Sequence, residues 1–271
     1  MEPLQLLYEL DGLPRFELPG ELEQLYGGAI GFDTPRLIAN FVSTLDGVVA
    51  VPSLPGSNRL IAASSAPDRF VMGLLRACSD AVVIGAGTLA ASPTSTWTPA
   101  RAFPDAAAGY AKLREDRALS PETELVIITA RGGLDVRHPA LAERSLVLTT
   151  DAGRERLEGR LPETASALSL GAGPRLDPAA ILAAVHARGH RIVLHEGGPH
   201  AIGPMFAAGL VDELFLTLSP LLLGRVSTDV RFGLVEGTDL IGAGPVPGRL
   251  LGARRAGDHL FLRYALAAAG T

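Results

Sequence analysis

Apolar positions along this chain keep two rhythms, one of strand length and one with the spacing of a helix. Strand-length runs fall at Leu37–Val42, Ala81–Ile84, Leu125–Thr129, Ser145–Thr149, Ser166–Leu170, Arg191–His195, Glu213–Leu218 and His259–Ala265. Helical spacing marks Ala66–Ala77, Asp177–Arg188 and Ala201–Ala208, each lying between two of those runs. Strands alternating with helices predict an α/β fold: a mostly parallel central sheet flanked by helices, with the last two strands added antiparallel. Residues 1–35 carry Pro3, Pro14, Pro19, Gly20, Gly27 and Gly28 around a short helix candidate, Glu21–Tyr26. They read as an N-terminal extension packed on the domain formed by residues 36–271. The stretch Ser92–Pro121 is polar and marked by prolines, which suits either a loop over a substrate or a plain surface excursion.

Local punctuation sharpens two places. At Ala66–Ala77, Ser64 or Ser65 can cap the helix, Pro67 suits its first turn, and Asp68 puts a negative charge at its positive end. Phe70, Leu74, Leu75 and Ala77 with Cys78 then supply its apolar stripe. Val82-Val83-Ile84 runs straight into Gly85-Ala86-Gly87-Thr88, and Val193-Leu194-His195 runs into Glu196-Gly197-Gly198-Pro199. Glycines after a strand free the backbone to approach a ligand closely. A helix starting there turns unpaired N–H groups toward the strand tip, an arrangement that binds phosphate. One such turn equally fits a tight connection with no ligand. Two in one parallel sheet, whose ligands lie at the strand carboxyl ends, favour an extended phosphate-bearing molecule.

Composition narrows the class. A chain of 271 residues with 47% apolar residues can bury a sizeable core, which argues for an ordered globule. The formal charge of −5 and the lack of a Lys/Arg cluster leave no footprint for nucleic acid. Glycine turns, however, bind phosphate through backbone groups whatever the net charge. Cys78 is the single cysteine, so no intramolecular disulfide forms, and its apolar helical setting makes it a packing residue. The start, Met-Glu-Pro followed by Glu9 and Asp11, lacks the basic opening and apolar run of a signal peptide. No apolar run reaches the ~18 residues of a membrane span, and a cytoplasmic location is expected.

Four motifs occur in order: Ser43-Thr44-Leu45-Asp46-Gly47, Gly85-Ala86-Gly87-Thr88, Glu196-Gly197-Gly198-Pro199, and Val211-Asp212-Glu213-Leu214 leading to Ser219-Pro220-Leu221-Leu222-Leu223-Gly224. With this set, over Arg36–Tyr264, the chain resembles the RibD C-terminal family, the pyrimidine reductases of riboflavin biosynthesis, whose fold is that of dihydrofolate reductase. The sequence has no His-x-Glu with Cys-x-x-Cys deaminase signature, as expected of a stand-alone reductase, and its Asn-x-x-Ser-x-Leu-Asp-Gly run (Asn40–Gly47) with the Ala-Pro-Asp-Arg-Phe helix start (Ala66–Phe70) is similar to stand-alone actinobacterial pyrimidine reductase-like proteins. The resemblance implies NADPH as hydride donor, a phosphoribosylamino-pyrimidine as acceptor, and a homodimer. By position it implies Ser43 beside the nicotinamide, and Gly85, Gly87 and Thr88 on the ribose and phosphates. Gly197, Gly198, Pro199, His200, Ala201 and Ile202 would surround the pyrophosphate. Thr129 and Arg131 would complete the cofactor site, the Arg131 guanidinium suiting the 2′-phosphate that separates NADPH from NADH. Riboflavin-pathway members often carry Lys where Asn40 stands and Asp-Asp-Pro where Ala91-Ser92-Pro93 stands. Both departures remove charge from the implied substrate side. They keep open a dihydrofolate or pterin reductase, and an NADPH-binding protein without turnover.

Reduction at carbon needs hydride there and a proton at the neighbouring heteroatom; the cofactor carries the first and the protein supplies the second. A carboxyl group with a raised pKa in a partly dry cleft can be that donor. Asp68 is one candidate. Glu196, facing the substrate together with Asn40, is the other. Asp46 suits a bracing role in the Leu45–Gly47 turn, because Asp-Gly is a common turn pair. His195 and His200 flank Glu196, but neighbouring strand residues face opposite sides and a third ligand is missing, so no metal is expected. His186 and His190 read as surface residues at a helix end.

Overall fold

A computed structural model describes residues 1–267, so residues 268–271 of the expected 36–271 domain lie outside the described residues. Its first half contains β1 (Gln5–Glu9), α1 (Gly20–Tyr26), β2 (Arg36–Ser43), α2 (Asn58–Ile61), α3 (Ala66–Cys78), β3 (Ala81–Gly85), α4 (Ala86–Ala90), α5 (Pro99–Ala102), α6 (Ala107–Asp116) and β4 (Glu124–Ile128). The second half adds β5 (Ser145–Thr149), α7 (Asp151–Leu157), β6 (Ala165–Ser169), α8 (Pro178–Ala187), β7 (Ile192–His195), α9 (Pro199–Ala207), β8 (Glu213–Leu218), α10 (Leu240–Ala243), β9 (Gly248–Ala256) and β10 (His259–Leu266). The strands form one ten-stranded sheet in the order β1-β9-β10-β8-β2-β7-β3-β4-β5-β6. From β8 to β6 every neighbouring pair is parallel, and β10, β9 and β1 extend the sheet antiparallel. The α/β fold class is therefore as the apolar rhythm predicts.

Each face of this sheet carries its own core. Ile38, Val82, Ile84 and Leu194 face Phe70, Leu74 and Leu75 of α3 and Tyr110 of α6. Ala39, Val83 and Val193 face Ile202, Met205 and Phe206 of α9. Such two-sided burial explains why β3 is apolar throughout, with every residue buried, rather than alternating. Each fully buried Phe or Leu contributes about 1.5–3 kcal/mol. The amino ends of the strands are closed by carboxylates. Asp80 accepts from the Arg191 and Ile192 amides, both at 2.7 Å, and Asp212 from the Leu37 amide at 2.7 Å. With that edge sealed, the opposite edge is the one open to chemistry.

Several expectations need correction. Glu213–Leu218 and His259–Ala265 do pair antiparallel as expected, but the first also runs parallel to β2 and so joins the two halves of the sheet; a further antiparallel strand on the other side of β10, β9, is missed by the apolar pattern. Gly248, Gly252 and three arginines interrupt its alternation, and Arg254 is buried only because Glu9 accepts its guanidinium at 2.6 Å and the Tyr26 ring lies under it. Residues 1–35 supply the edge strand β1 and bring Leu4, Leu22, Tyr26 and Ile30 into the core. Ser92–Pro121 is neither a loop nor a surface excursion over most of its length. It holds α5 and α6, buries Trp97, Phe103, Tyr110 and Leu113, and ties to α3 through a Tyr110 hydroxyl donating to the Phe70 carbonyl at 2.8 Å. His190, expected on the surface, is buried against Glu124.

Candidate active site

On the α3 side of the sheet, four polar residues meet where apolar ones would be expected. The Ser65 hydroxyl accepts from the Asp68 amide at 3.2 Å, capping α3 and aligning its first turn. Just before it, Ala63 and Ser64 hold φ of +50° and +55°, a left-handed pair that non-glycine residues adopt at a cost. Asp68 lies in that first turn with 7% of its surface exposed. Burial pushes its carboxyl up to about 6, against a hydrogen bond from Thr217 and the charge of His259, with the Glu196 charge adding to the rise. Two turns further along the same helix, Arg76 donates to Glu196 Oε2 from Nη2 at 2.6 Å and from Nε at 3.0 Å. Its Nη1 donates to the Thr98 carbonyl at 3.3 Å, and Asn40 Nδ2 donates to Glu196 Oε1 at 3.3 Å. Both Glu196 oxygens are thus engaged as acceptors. This carboxylate is anchored, whereas that of Asp68 is poised to hold or give a proton.

The two glycine turns lie side by side at the carboxyl edge. Gly198, the N-cap residue of α9, donates its amide to Thr88 Oγ1 of α4 at 3.0 Å, which ties one turn to the other. The Thr88 oxygen being the acceptor, its own hydrogen remains for a group at the edge. Neither α4 nor α9 has a side-chain cap; glycine occupies both N-cap positions. A Cβ on Gly87 would meet nothing within 4 Å, while one on Gly197 would lie 2.6 Å from His195 Cε1 and 3.1 Å from the Gly85 amide. So Gly87 borders open space, and Gly197 is glycine because its neighbours leave no room. Ala201 packs its Cβ against Gly85, Pro199 and Ile202 are buried, and His200 is exposed beside the Phe232 ring. The amides of Ala201 and Ile202 both donate to the Gly198 carbonyl, at 2.9 and 3.2 Å.

The same edge continues along β2 and β4. Ser43 ends β2 and, by strand alternation, faces away from Asn40 and toward the α9 side. Thr129 is buried after β4 with its amide donating to the Leu148 carbonyl at 3.0 Å. Thr150 Oγ1 donates to the Ala130 carbonyl at 2.7 Å, and Gly132, at φ +62°, passes so close to Gly153 that a Cβ would strike its carbonyl oxygen at 2.4 Å. That turn fixes the backbone of Arg131 and leaves its side chain exposed. Asp46 braces the turn after β2: it accepts from Thr44 Oγ1 at 2.5 Å and from the Leu223 and Gly224 amides at 3.3 and 2.6 Å. Its carboxyl is held below the usual range by those bonds, the Thr44 one foremost.

The structure brings Asn40 and Glu196 together with Asp68 on the α3 side, and joins the two glycine turns at the strand tips, while Ser43 ends β2 and Thr129 and Arg131 follow β4. Sequence reading missed Arg76, Thr98 and Thr217. Arg76 did carry a signal, a cation within an apolar helix and eight positions from Asp68, close to two full turns.

A mostly parallel α/β sheet, with Asn40, Asp68, Glu196 and two joined glycine turns on its strand carboxyl side, defines the class of protein. The chain belongs to the RibD C-terminal domain family, which matches residues 35–240. It is similar to a 2,5-diamino-6-ribosylamino-4(3H)-pyrimidinone 5′-phosphate reductase of Archaeoglobus fulgidus, 26% identical over 195 residues that span 70% of this chain and 82% of the relative. Its fold is shared with a pyrimidine reductase-like protein from Corynebacterium diphtheriae, with a TM-score of 0.64 at 19% identity, covering 86% of this chain and 92% of the other. It is also shared with a diaminohydroxyphosphoribosylaminopyrimidine deaminase/5-amino-6-(5-phosphoribosylamino)uracil reductase from Thermotoga maritima, with a TM-score of 0.63 at 20% identity, covering 86% of this chain and 57% of that one. Among the described residues no helix is long and apolar enough to cross a membrane.

Proposed function

We propose that the chain is an oxidoreductase that uses NADPH to reduce a phosphoribosylamino-pyrimidine, the class of substrate for which its Archaeoglobus relative is named. The observation that carries this reading is a buried carboxyl with a raised pKa, Asp68, on the same side of the molecule as two glycine turns joined at the strand tips. The residues present fit the cofactor: Gly87 opens onto free space, and α4 and α9 start at that edge with glycine N-caps. Gly85, Gly87 and Thr88 take the ribose and phosphates, and the turn from Gly197 through Gly198, Pro199, His200, Ala201 and Ile202 takes the pyrophosphate. Ser43 borders the nicotinamide. Thr129 and Arg131 take the 2′-phosphate end, and the three strand spacings between β2 and β4, at about 4.8 Å each, cover roughly 14 Å of an extended dinucleotide. When bound, NADPH supplies the hydride.

The chain supplies the remainder. Asn40 and the Arg76-anchored Glu196 orient the heterocycle, and Asp68 gives the proton, since burial raises its carboxyl to about 6 while both Glu196 oxygens are already taken as acceptors. Reduction of a pterin is the second reading, favoured by uncharged Asn40 and Ala91-Ser92-Pro93, where the resemblance implies charged residues for the pyrimidine. Parallel assays of NADPH oxidation with the pyrimidine and with dihydrofolate separate the two. Consumption only with the pyrimidine supports the first reading; consumption only with dihydrofolate replaces it; NADPH binding without consumption makes the chain a binder alone.

A further inference from the structure

His195 has no part in the chemistry described, yet it is the least expected residue at its position. It ends β7, fully buried, on the face that packs against α9. Its strand neighbours in register are Ala39 of β2 and Val83 of β3, both buried and apolar. A leucine would suit those surroundings better, because His195 Nε2 is buried with no hydrogen-bond partner among the described residues. The other ring nitrogen is occupied. His195 Nδ1 accepts from the Gly197 amide at 3.2 Å, and the ring edge lies where a Gly197 side chain would start. Gly197 in turn packs on the Gly85 amide, and Gly198 next to it bonds Thr88.

We infer that His195 is a positioning residue for the cofactor: its Nδ1 sets the rotation of the Glu196–Gly197 peptide, and so the shape of both glycine turns. The inference rests on reading that edge as the NADPH site. Burial pushes the imidazole down to about 3, so the ring stays neutral and Nδ1 stays an acceptor throughout the working pH range. A residue kept for stability would not leave a buried donor unpaired. Function, then, accounts for the histidine.

The test compares the parent with His195→Leu and His195→Asn, the asparagine oxygen standing close to the place of Nδ1. NADPH dissociation constants are read by fluorescence, melting temperatures without ligand, and kcat and KM with the pyrimidine. His195→Leu should melt at or above the parent, yet bind NADPH about fivefold or more weakly, as loss of one oriented hydrogen bond implies. The loss should fall on the KM for NADPH and leave kcat, and His195→Asn should recover most of it. A His195→Leu protein that binds NADPH like the parent, one that melts well below it, or an asparagine variant as weak as the leucine one would overturn the inference. A parent that binds no NADPH at all would instead remove the proposed function on which it rests.

Discussion

At the scale of single side chains, burial decides what Asp68 can do. The carboxyl is raised to about 6 because the charged form is desolvated, with Thr217 and His259 only partly offsetting this. If it supplies the proton, kcat/KM should fall about tenfold per pH unit once the pH passes about 6, measured from pH 5 to 9. Asp68→Asn should lower turnover by roughly 10²–10⁴-fold and leave NADPH affinity unchanged. The sign of its effect on stability also follows. The folded protein holds this proton more tightly than the unfolded chain, whose Asp titrates near 3.9, so stability drops as pH rises through that interval toward 6. Above pH 6, Asp68→Asn should therefore melt no lower than the parent. Asp68 was legible in the sequence because Ser65, Pro67 and an apolar stripe fixed the helix around it. The anchoring of Glu196 was not, because its Arg76 partner lies 120 residues away and only the fold joins them.

At the scale of elements, the two glycine turns were legible as separate motifs, whereas their union was not. The Gly198–Thr88 bond spans 110 residues and depends on β7 lying beside β3, a neighbour relation that no local pattern encodes. Gly87 tests what the turns are for. A methyl group there meets nothing within 4 Å, and Ala is favoured over Gly in a helix by about 0.8–1.0 kcal/mol. Gly87→Ala should accordingly fold with equal or greater thermal stability while binding NADPH several-fold more weakly, read by fluorescence titration beside calorimetry. Equal affinity would mean that the phosphates do not pass over α4. Among the elements missed by pattern, β1, β9 and α6 share one cause: each owes its burial or pairing to distant partners, as Arg254 does to Glu9 and Tyr110 to Phe70.

At the scale of the whole molecule, the sheet divides its labour between its two edges. The amino edge is locked by charge, with Glu124 at its centre, 1% exposed and bonded to Arg188 at 2.8 Å and to His190, with Arg144 alongside at 3.2 Å. Burial alone would raise the Glu124 carboxyl, but the His190 and Arg188 bonds outweigh it and hold it down at about 2. The stability this gives is complete above the unfolded value near 4.3 and is lost as pH falls through about 2. Glu124→Gln should cost about 3–5 kcal/mol in urea unfolding near neutral pH and flatten the acid limb of the stability curve. The carboxyl edge holds the two glycine turns and the cluster of Asp68, Glu196 and Arg76. Its central claim is that hydride crosses from NADPH to a pyrimidine held there, and the direct measurement is mass spectrometry of the product made with NADPH deuterated at the reactive nicotinamide carbon. The account predicts one deuterium in the reduced pyrimidine, formed by the parent and far more slowly by Asp68→Asn. A protein that binds NADPH yet yields no deuterated pyrimidine would contradict it.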